Sequence, residues 1–499
     1  MAVSRRPRGV SPQILKLALS NDGDVALFVQ IREQIRNFIN SRTLIAGMRL
    51  PPVRALARQL RVNQITVAKA YRDLVDEGLL EGRRGGGSFV RAPSQNQHPE
   101  QITDAEPTQP MLAERLYELA RAPGVIAFSS NYPRLDGESV DDFRTSLTTV
   151  IDQKLDACLH YEPPAGRISL REQIVQLLRG TGVTAEEDDI VVTSGAQQAI
   201  DLSIRALCPA GTPVAIEQPS YYGAINALRG AQARILPVPL NRDGMDLDVL
   251  ETHLSRGRAR LIYTNPTFQN PTGITTSVEH RRALLALARR YDATILEDDH
   301  CPELRFRGAA VPAIRALAGP DDRVIYARSF GKALLPGVRL GFLLVPAVLL
   351  QRLLLAKANA DLHCNGLLQE ATADYLERGI YRAMLERMRA AYGARQGKLY
   401  NALSERLPAG ANVNRPDGGL SFWLTLPKDT DVSELYFRAV RRGVAFVNGE
   451  VFYLARPAVR ALRVSFGLNK PDELLEGVDR LCSLVKDLQT RRSRSLVLS

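Results

Sequence analysis

RVIYARSFGKALLPGVRLGF, residues 323–342, joins an apolar, β-branched run to a turn that carries one lysine. The first part, 323–330, reads as a strand, and Lys332 stands just past its end. A lysine amine in that position forms a Schiff base with an aldehyde once it is partly deprotonated. Ser329, three residues earlier, and Arg339, seven later, both suit a phosphate. Taken alone, a lysine in a loop is a surface residue. The neighbouring segments give it a different meaning.

Upstream, ATILED (293–298) is a strand whose C-terminal end delivers carboxylates, and α/β proteins bind ligands at that end. A carboxylate there holds a pyridine nitrogen protonated. Asp298 is the choice for that role, with Asp299 or a helix-capping function as the alternative. RLIYTN (260–265) is another strand, followed by the tight turn Asn270-Pro271-Thr272-Gly273. Asn270 is placed to donate to a phenolic oxygen. DIVVTS (189–194) leads through TSGAQQA into a helix, where the backbone N–H groups of Gly195, Ala196 and Gln197 would face a phosphate. A plain strand–helix turn would read the same way. PVAIEQ (213–218) precedes Tyr221, which suits stacking on an aromatic ring or an ordinary core position. Amphipathic segments such as RRALLALARRY (281–291) lie between the strands. This β–α alternation predicts a mostly parallel sheet covered by helices, with a smaller α+β unit over about 390–490.

In this order the segments resemble fold-type-I pyridoxal-phosphate aminotransferases over about 111–485, especially the kynurenine/aminoadipate branch. The resemblance implies that Lys332 carries the cofactor's imine, as the catalytic residue. It implies that Asp298 pairs with the pyridine nitrogen, that Asn270 contacts the ring hydroxyl and that Tyr221 stacks on the ring. Ala196, Gln197, Ser329 and Arg339 would hold the phosphate. Tyr161, in YEPPAGRISLR, matches a tyrosine that reaches the phosphate across a dimer interface. Arg463, in LRVSFG, matches the arginine that grips a substrate carboxylate. Two positions depart from the pattern. His300 stands where relatives commonly carry a tyrosine beside the ring hydroxyl, and Asn131 where a glycine is usual. His300 is retained as a cofactor-binding residue that supplies a similar hydrogen bond or changes the imine's proton affinity.

The other end of the chain follows a different plan. Leu27, Ile31, Ile35, Phe38 and Ile39 have helical spacing over 25–41. A second helix covers 53–60. Asn63 caps a third, 64–77, whose inner face is Val67, Ala70, Tyr71 and Leu74. Gly78 ends it, and LLEGRRGGGSFV (79–90) forms a hairpin around glycines. Three helices and a hairpin suit a winged helix-turn-helix, with the last helix in the major groove. Gln64, Thr66, Lys69 and Arg72 face outward, Arg54 opens the preceding helix, and Arg83 and Arg84 charge the wing. With Asn63 these are the candidate DNA-contacting residues. The segment resembles the GntR-type winged helix in G-x-RLP-x-x-R-x-LA, in TV-x-x-AY-x-x-L-x-x-EG and in the wing ending FV. Pro52 and Gln64 depart from the usual Ser and Arg.

The charge distribution agrees with that division. Residues 1–95 carry +9 of the chain's +11, so a polyanionic partner is expected there and not elsewhere. The expected layout is a winged helix at 24–91, a linker at 92–110 with four prolines, and an aminotransferase-like domain at 111–490. The tail TRRSRSLVLS reads as disordered. No apolar run is long enough to span a membrane, the N-terminus has no secretory core, and five scattered cysteines show no zinc spacing. Cytoplasmic, nucleoid-associated placement is expected, with no metal.

The combined architecture resembles the MocR/GabR regulators. It implies a homodimer that binds two operator half-sites and senses an amino compound, or the cofactor itself, at Lys332. A working aminotransferase with an accessory DNA-binding domain is the alternative. A third possibility is a winged helix on a cofactor-free dimerisation scaffold.

Overall fold

The computed structural model describes residues 17, 19, 26–40, 44, 48–76, 79–83, 87–90, 124–134, 136–455 and 457–497, without the side chains of 37, 40, 83 and 491–497. The chain divides into two compact units, Met1–Ala105 and Glu106–Ser499. The expected linker at 92–110, Gly78 and Arg84 lie outside the described residues.

In the first unit, α1 (Leu27–Asn40), α2 (Val53–Leu60) and α3 (Gln64–Asp76) precede a hairpin of β1 (Leu80–Arg83) and β2 (Gly87–Val90). β1 and β2 pair antiparallel, Leu80 opposite Val90. Helical spacing brings Ile31 and Ile35 of α1, Leu56 and Ala57 of α2, and Val67, Ala70, Tyr71 and Leu74 of α3 into one core, all buried. All four residues predicted for the inner face of α3 are in it. The hydroxyl of Tyr71 donates to the Pro51 carbonyl at 2.9 Å, so its polar tip is satisfied inside. α2 ends at Arg61 in the left-handed conformation, with Val62 and Asn63 completing the turn into α3. Asn63 Oδ1 accepts from the Ile65 N–H at 2.9 Å and caps the helix as its sequence predicts.

Among the described residues, the first strand of the second unit is β3 (Ile126–Ala127), and an eight-stranded sheet follows. Its strands are β4 (Ile190–Thr193), β5 (Pro213–Gln218), β6 (Arg234–Asn241), β7 (Gly244–Met245), β8 (Leu261–Thr264), β9 (Thr294–Asp298), β10 (Val324–Ser329) and β11 (Gly341–Leu344). Their order is β4-β11-β10-β9-β8-β5-β6-β7. The run β10-β9-β8-β5-β6 is parallel throughout, and only β11 and β7 run the other way. The central strands are buried on both faces, between two apolar clusters. Parallel strands of one sheet end on the same side, so β4, β5, β8, β9 and β10 all deliver their C-termini to one edge. The segments singled out around Lys332 that follow these five strands sit there, whereas those of Tyr161 and Arg463 belong to other elements.

The smaller sheet is β12 (Asn412–Val413), β13 (Ser421–Leu426), β15 (Val447–Asn448) and β16 (Arg460–Ser465), antiparallel in the order β12-β13-β16-β15. Between β13 and β15, β14 (Val444–Ala445) pairs in parallel with β3. The segment after residue 124 is thereby tied to the C-terminal part of the unit. Helices Ile380–Arg406 and Pro471–Val497 pack on each other. The second corrects the expectation of a disordered tail. No proline or glycine follows Gly477, and Leu474, Val478, Leu481 and Val485 anchor the helix in the core. Once anchored, further turns propagate without a new nucleation cost.

Candidate functional site

Lys332 lies in the short 3₁₀ turn Phe330–Lys332 that follows β10. Its Nζ donates to the carbonyl of Asn131. Burial drives its pKa down to about 8, with the Arg463 and Arg339 charges acting in the same direction. The amine is thus partly a free base near neutrality, the form a nucleophile needs.

Asp298 ends β9 and is buried. Burial raises its pKa to about 7, against the hydrogen bond that Tyr263 donates to Oδ2 at 2.7 Å. Oδ1 has no hydrogen-bond partner among the described residues. A buried carboxylate oxygen without a donor is costly unless a ligand supplies one. Asp299 differs. It accepts from Tyr326 at 2.8 Å, and the Arg328 and Arg281 charges act on it. The charge of Lys332 acts on Asp298, whereas the largest charges acting on Asp299 are those of Arg328, Arg281 and Glu303.

The strand–helix turn after β4 has the backbone arrangement that an anion cradle requires. Gly195 has φ +87° and precedes helix Ala196–Leu207 without a side-chain cap, which leaves the first N–H groups of the helix to a ligand. Arg339 Nη2 donates to the Ser194 carbonyl at 3.0 Å. A Cβ on Gly195 would stand 2.9 Å from that guanidinium, so only glycine allows the approach. Ser329 Oγ accepts from the Gly331 N–H at 3.0 Å. Gln197 accepts from the Tyr221 hydroxyl at 2.9 Å and donates to the Gly223 carbonyl at 3.0 Å, which fixes the Tyr221 ring.

Asn270, Arg463 and His300 are tied together through a residue that motif reading missed, Asn265. Its Oδ1 accepts from the Asn270 N–H at 2.7 Å, and its Nδ2 donates to the Asp298 carbonyl. Those two bonds fix which end of the amide is which. The second N–H of Nδ2 is then directed at His300 Nδ1, 3.2 Å away. Nδ1 must accept, so the ring proton sits on Nε2. Burial drives the His300 pKa down to about 3, with Lys332 and Arg463 adding to the effect. His300 is therefore a neutral residue with a single N–H to offer. Asn265 is held in turn by the buried carboxylate of Glu217, which accepts from its N–H at 3.0 Å, from Thr264 and from Gln269. Neither Asn265, Glu217 nor Tyr263 carries a motif; only their position at strand ends β5 and β8 pointed to the site.

Arg463, on β16 of the small sheet, donates to Asn270 Oδ1 at 2.8 Å and to the Ser129 carbonyl at 3.2 Å. The site therefore joins three parts of the unit: the large sheet, the small sheet and the segment after β3. Tyr161 is not brought to Lys332 within the protomer. It is 86% exposed, with its ring edge-on to His363 at 5.8 Å.

In the first unit, Arg54, Asn63, Gln64, Lys69 and Arg72 are exposed and Thr66 is half-buried. The ammonium of Lys69 lies over the Phe28 ring, 3.7 Å from its centroid, which ties this cation to α1. The Arg83 side chain and Arg84 lie outside the described residues.

Fold and site together define an aminotransferase-type domain that follows a winged helix. Residues 123–481 match the family model for aminotransferase class I and II, and residues 27–90 that for bacterial regulatory proteins of the gntR family. The probable rhizopine catabolism regulatory protein MocR of Rhizobium meliloti is 32% identical over 483 residues, 95% of this chain and 97% of that protein. The 2-aminoadipate transaminase of Thermus thermophilus is 35% identical over 75% of this chain and 93% of its own length. The crystal structure of LysN, an α-aminoadipate aminotransferase from Thermus thermophilus complexed with N-(5'-phosphopyridoxyl)-L-leucine, has a TM-score of 0.70 and 34% identity, covering 75% of this chain and 95% of that one. The chain belongs to the aminotransferase class I and II family, in its MocR-type branch with a GntR domain in front. Among the described residues, no helix is long and apolar enough to cross a membrane.

Proposed function

We propose that this chain is a pyridoxal-phosphate-dependent transcription regulator. Its first unit binds operator DNA, and its second senses an amino compound that carries a carboxylate. The reading rests on one pair of groups: a buried Lys332 amine with a pKa of about 8 beside a buried Asp298 oxygen that lacks a donor. The residues fit the cofactor. The unpaired Asp298 Oδ1 calls for an N–H such as a pyridinium supplies, and at Gly195, where a Cβ would press on the Arg339 guanidinium, an arginine and an uncapped helix N-terminus come together as a phosphate would require. When bound, pyridoxal phosphate supplies an aldehyde that condenses with amines and a ring that accepts electron density.

The remaining work falls to the protein. Lys332 would provide the amine for that aldehyde and, as a free amine, would act as a base. Asp298 holds a proton on the ring nitrogen. Asn270 and the Nε2–H of His300 provide polar contacts for the ring oxygen. Ser329, Arg339, Ala196 and Gln197 bind the phosphate, and Tyr221 covers the ring. Arg463 grips the effector's carboxylate and links the small sheet to Asn270, so effector binding bears on how the small sheet meets the large one. An effector switches the regulator only if it binds two conformations with different affinity. The protein acts as a homodimer in the cytoplasm, at the nucleoid, with two winged helices on two half-sites.

The test uses purified full-length protein loaded with pyridoxal phosphate. Borohydride is expected to fix the cofactor on the Lys332 peptide. DNA from the chain's own upstream region is expected to bind with an affinity that candidate amino acids change. A colourless protein with nothing fixed on Lys332 would overturn the sensor reading. The 35% identity to a transaminase keeps a second reading in view, a working aminotransferase. Sustained keto-acid production from an amino donor and acceptor would favour it; a single half-reaction favours the regulator.

A further inference from the structure

On α3, Ile65 is 74% exposed, while the inner-face residues Val67, Ala70, Tyr71 and Leu74 are buried. The core of its unit gains nothing from this side chain, and isoleucine is not a strong helix former. Ile65 is also well held. Its N–H is bonded to Asn63 Oδ1 at 2.9 Å, which fixes the first turn, and a β-branched side chain in a helix has one strongly preferred rotamer. Lys69 and Arg72 follow at four and seven residues, on the same face of the helix. Gln64 and Asn63, both exposed, adjoin it. The result is a rigid apolar knob at the N-terminal end of α3, on its cationic face, in the part of the chain that carries +9 of the net charge.

The N-terminal residues of a winged-helix recognition helix meet base edges. In the major groove the apolar group on a base edge is the 5-methyl of thymine, and it distinguishes thymine from every other base. We infer that Ile65 is a specificity-determining residue that packs its side chain against a thymine 5-methyl group in the operator. The inference rests on the DNA-binding reading of the first unit and adds which base that unit selects and by what contact.

Deoxyuridine pairs like thymidine but lacks the methyl, so it isolates this contact. A duplex is selected from a random-sequence pool with the full-length protein loaded with pyridoxal phosphate. Its thymines are then replaced one at a time by deoxyuridine. One thymine per half-site is expected to weaken wild-type binding by roughly threefold to fivefold when replaced, the value of one buried methyl. Ile65→Ala should bind the thymine and deoxyuridine duplexes equally, and Ile65→Val should keep part of the difference. The thermal unfolding of both variants should match wild type, since the side chain is outside the core. A wild-type protein that binds the selected duplex with no methyl dependence, or a dependence that Ile65→Ala leaves intact, overturns the inference and leaves DNA binding standing. Failure to retain any duplex from the pool would overturn DNA binding itself, and this inference with it.

Discussion

At Lys332 burial lowers the pKa of the amine to about 8, and at Asp298 it raises that of the carboxyl to about 7. The signs have separate consequences. In protein stripped of cofactor, Lys332 should react with an amine-selective reagent along a titration centred near pH 8, while surface lysines follow one near about 10.4. Labelling across pH, read by mass spectrometry of the Lys332 peptide, checks this; a midpoint with the surface lysines would refute it. Asp298 has a folded pKa above its unfolded one. Its neutral form fits the folded protein at low pH, and stability is lost as pH rises from about 4 to about 7, staying lost above. Asp298→Asn is nearly isosteric and cannot ionise. It should raise the melting temperature of the apoprotein above pH 7 and leave it near wild type at about pH 4. The same change should weaken pyridoxal phosphate about tenfold to a hundredfold, as loss of a hydrogen bond to a charged group does. If both stability and affinity fell at every pH, Asp298 would be a packing residue. His300 offers a third check. With Nδ1 accepting from Asn265, nitrogen NMR should find its proton on Nε2 across neutral pH, and Asn265→Leu should release that preference.

Most site residues sit at or just past the ends of elements, and one such place is the turn at Gly195. Its positive φ and the 2.9 Å approach of Arg339 exclude a side chain there. Gly195→Val should therefore abolish tight cofactor binding, measured by absorbance titration, while the first unit keeps its affinity for non-specific DNA. Retained cofactor would mean that this turn is not the phosphate cradle. Much of this level was legible in the sequence. PVAIEQ became a strand with the same limits, Pro213–Gln218, because four of its residues are buried and apolar or β-branched runs suit a sheet covered on both faces. Lys332, Asp298 and Gly195 were legible because a strand end followed by a small or charged residue is a local pattern. Three things were not. GFLL at β11 is too short to declare itself, and it is placed by pairing with β10, the strand before it, and with β4, far away in sequence. The two-residue strands β3 and β14 exist only because they meet. The bond from Lys332 to the Asn131 carbonyl spans 201 residues and uses a backbone atom that every residue type shares.

At the scale of the whole molecule, six of the exposed apolar residues of the second unit, leaving aside Ile168, Phe437 and Val459, form two lines that converge. On helix Gly137–Cys158 and its C-cap, Ile151, Leu155 and Leu159 follow at intervals of four, one helix face. On helix Ala347–Asp361 and its C-cap, Val348, Leu355 and Leu362 follow at intervals of seven, again one face. Leu159 lies two residues before Tyr161, and Leu362 adjoins His363, whose ring meets that of Tyr161. Beyond His363, Cys364 Sγ lies 3.5 Å from Ser194 Oγ, at the anion cradle. Exposed apolar lines of this kind mark an interface, and these end beside the proposed phosphate site. A twofold interface built on them would use the same patch on both copies and would bring the partner subunit's Tyr161 toward the proposed phosphate site. Leu155→Glu and Leu355→Glu each place a charge in the middle of a line; wild type is expected to sediment as a dimer and the double variant as a monomer. Its cofactor affinity should fall as well, because a residue from the second copy no longer completes the phosphate site, and Tyr161→Phe in the dimer should reproduce part of that fall. DNA carrying two half-sites should then bind the monomer no better than DNA carrying one. A double variant that stays dimeric would move the interface elsewhere on the unit, and a monomer with undiminished cofactor affinity would separate Tyr161 from the phosphate.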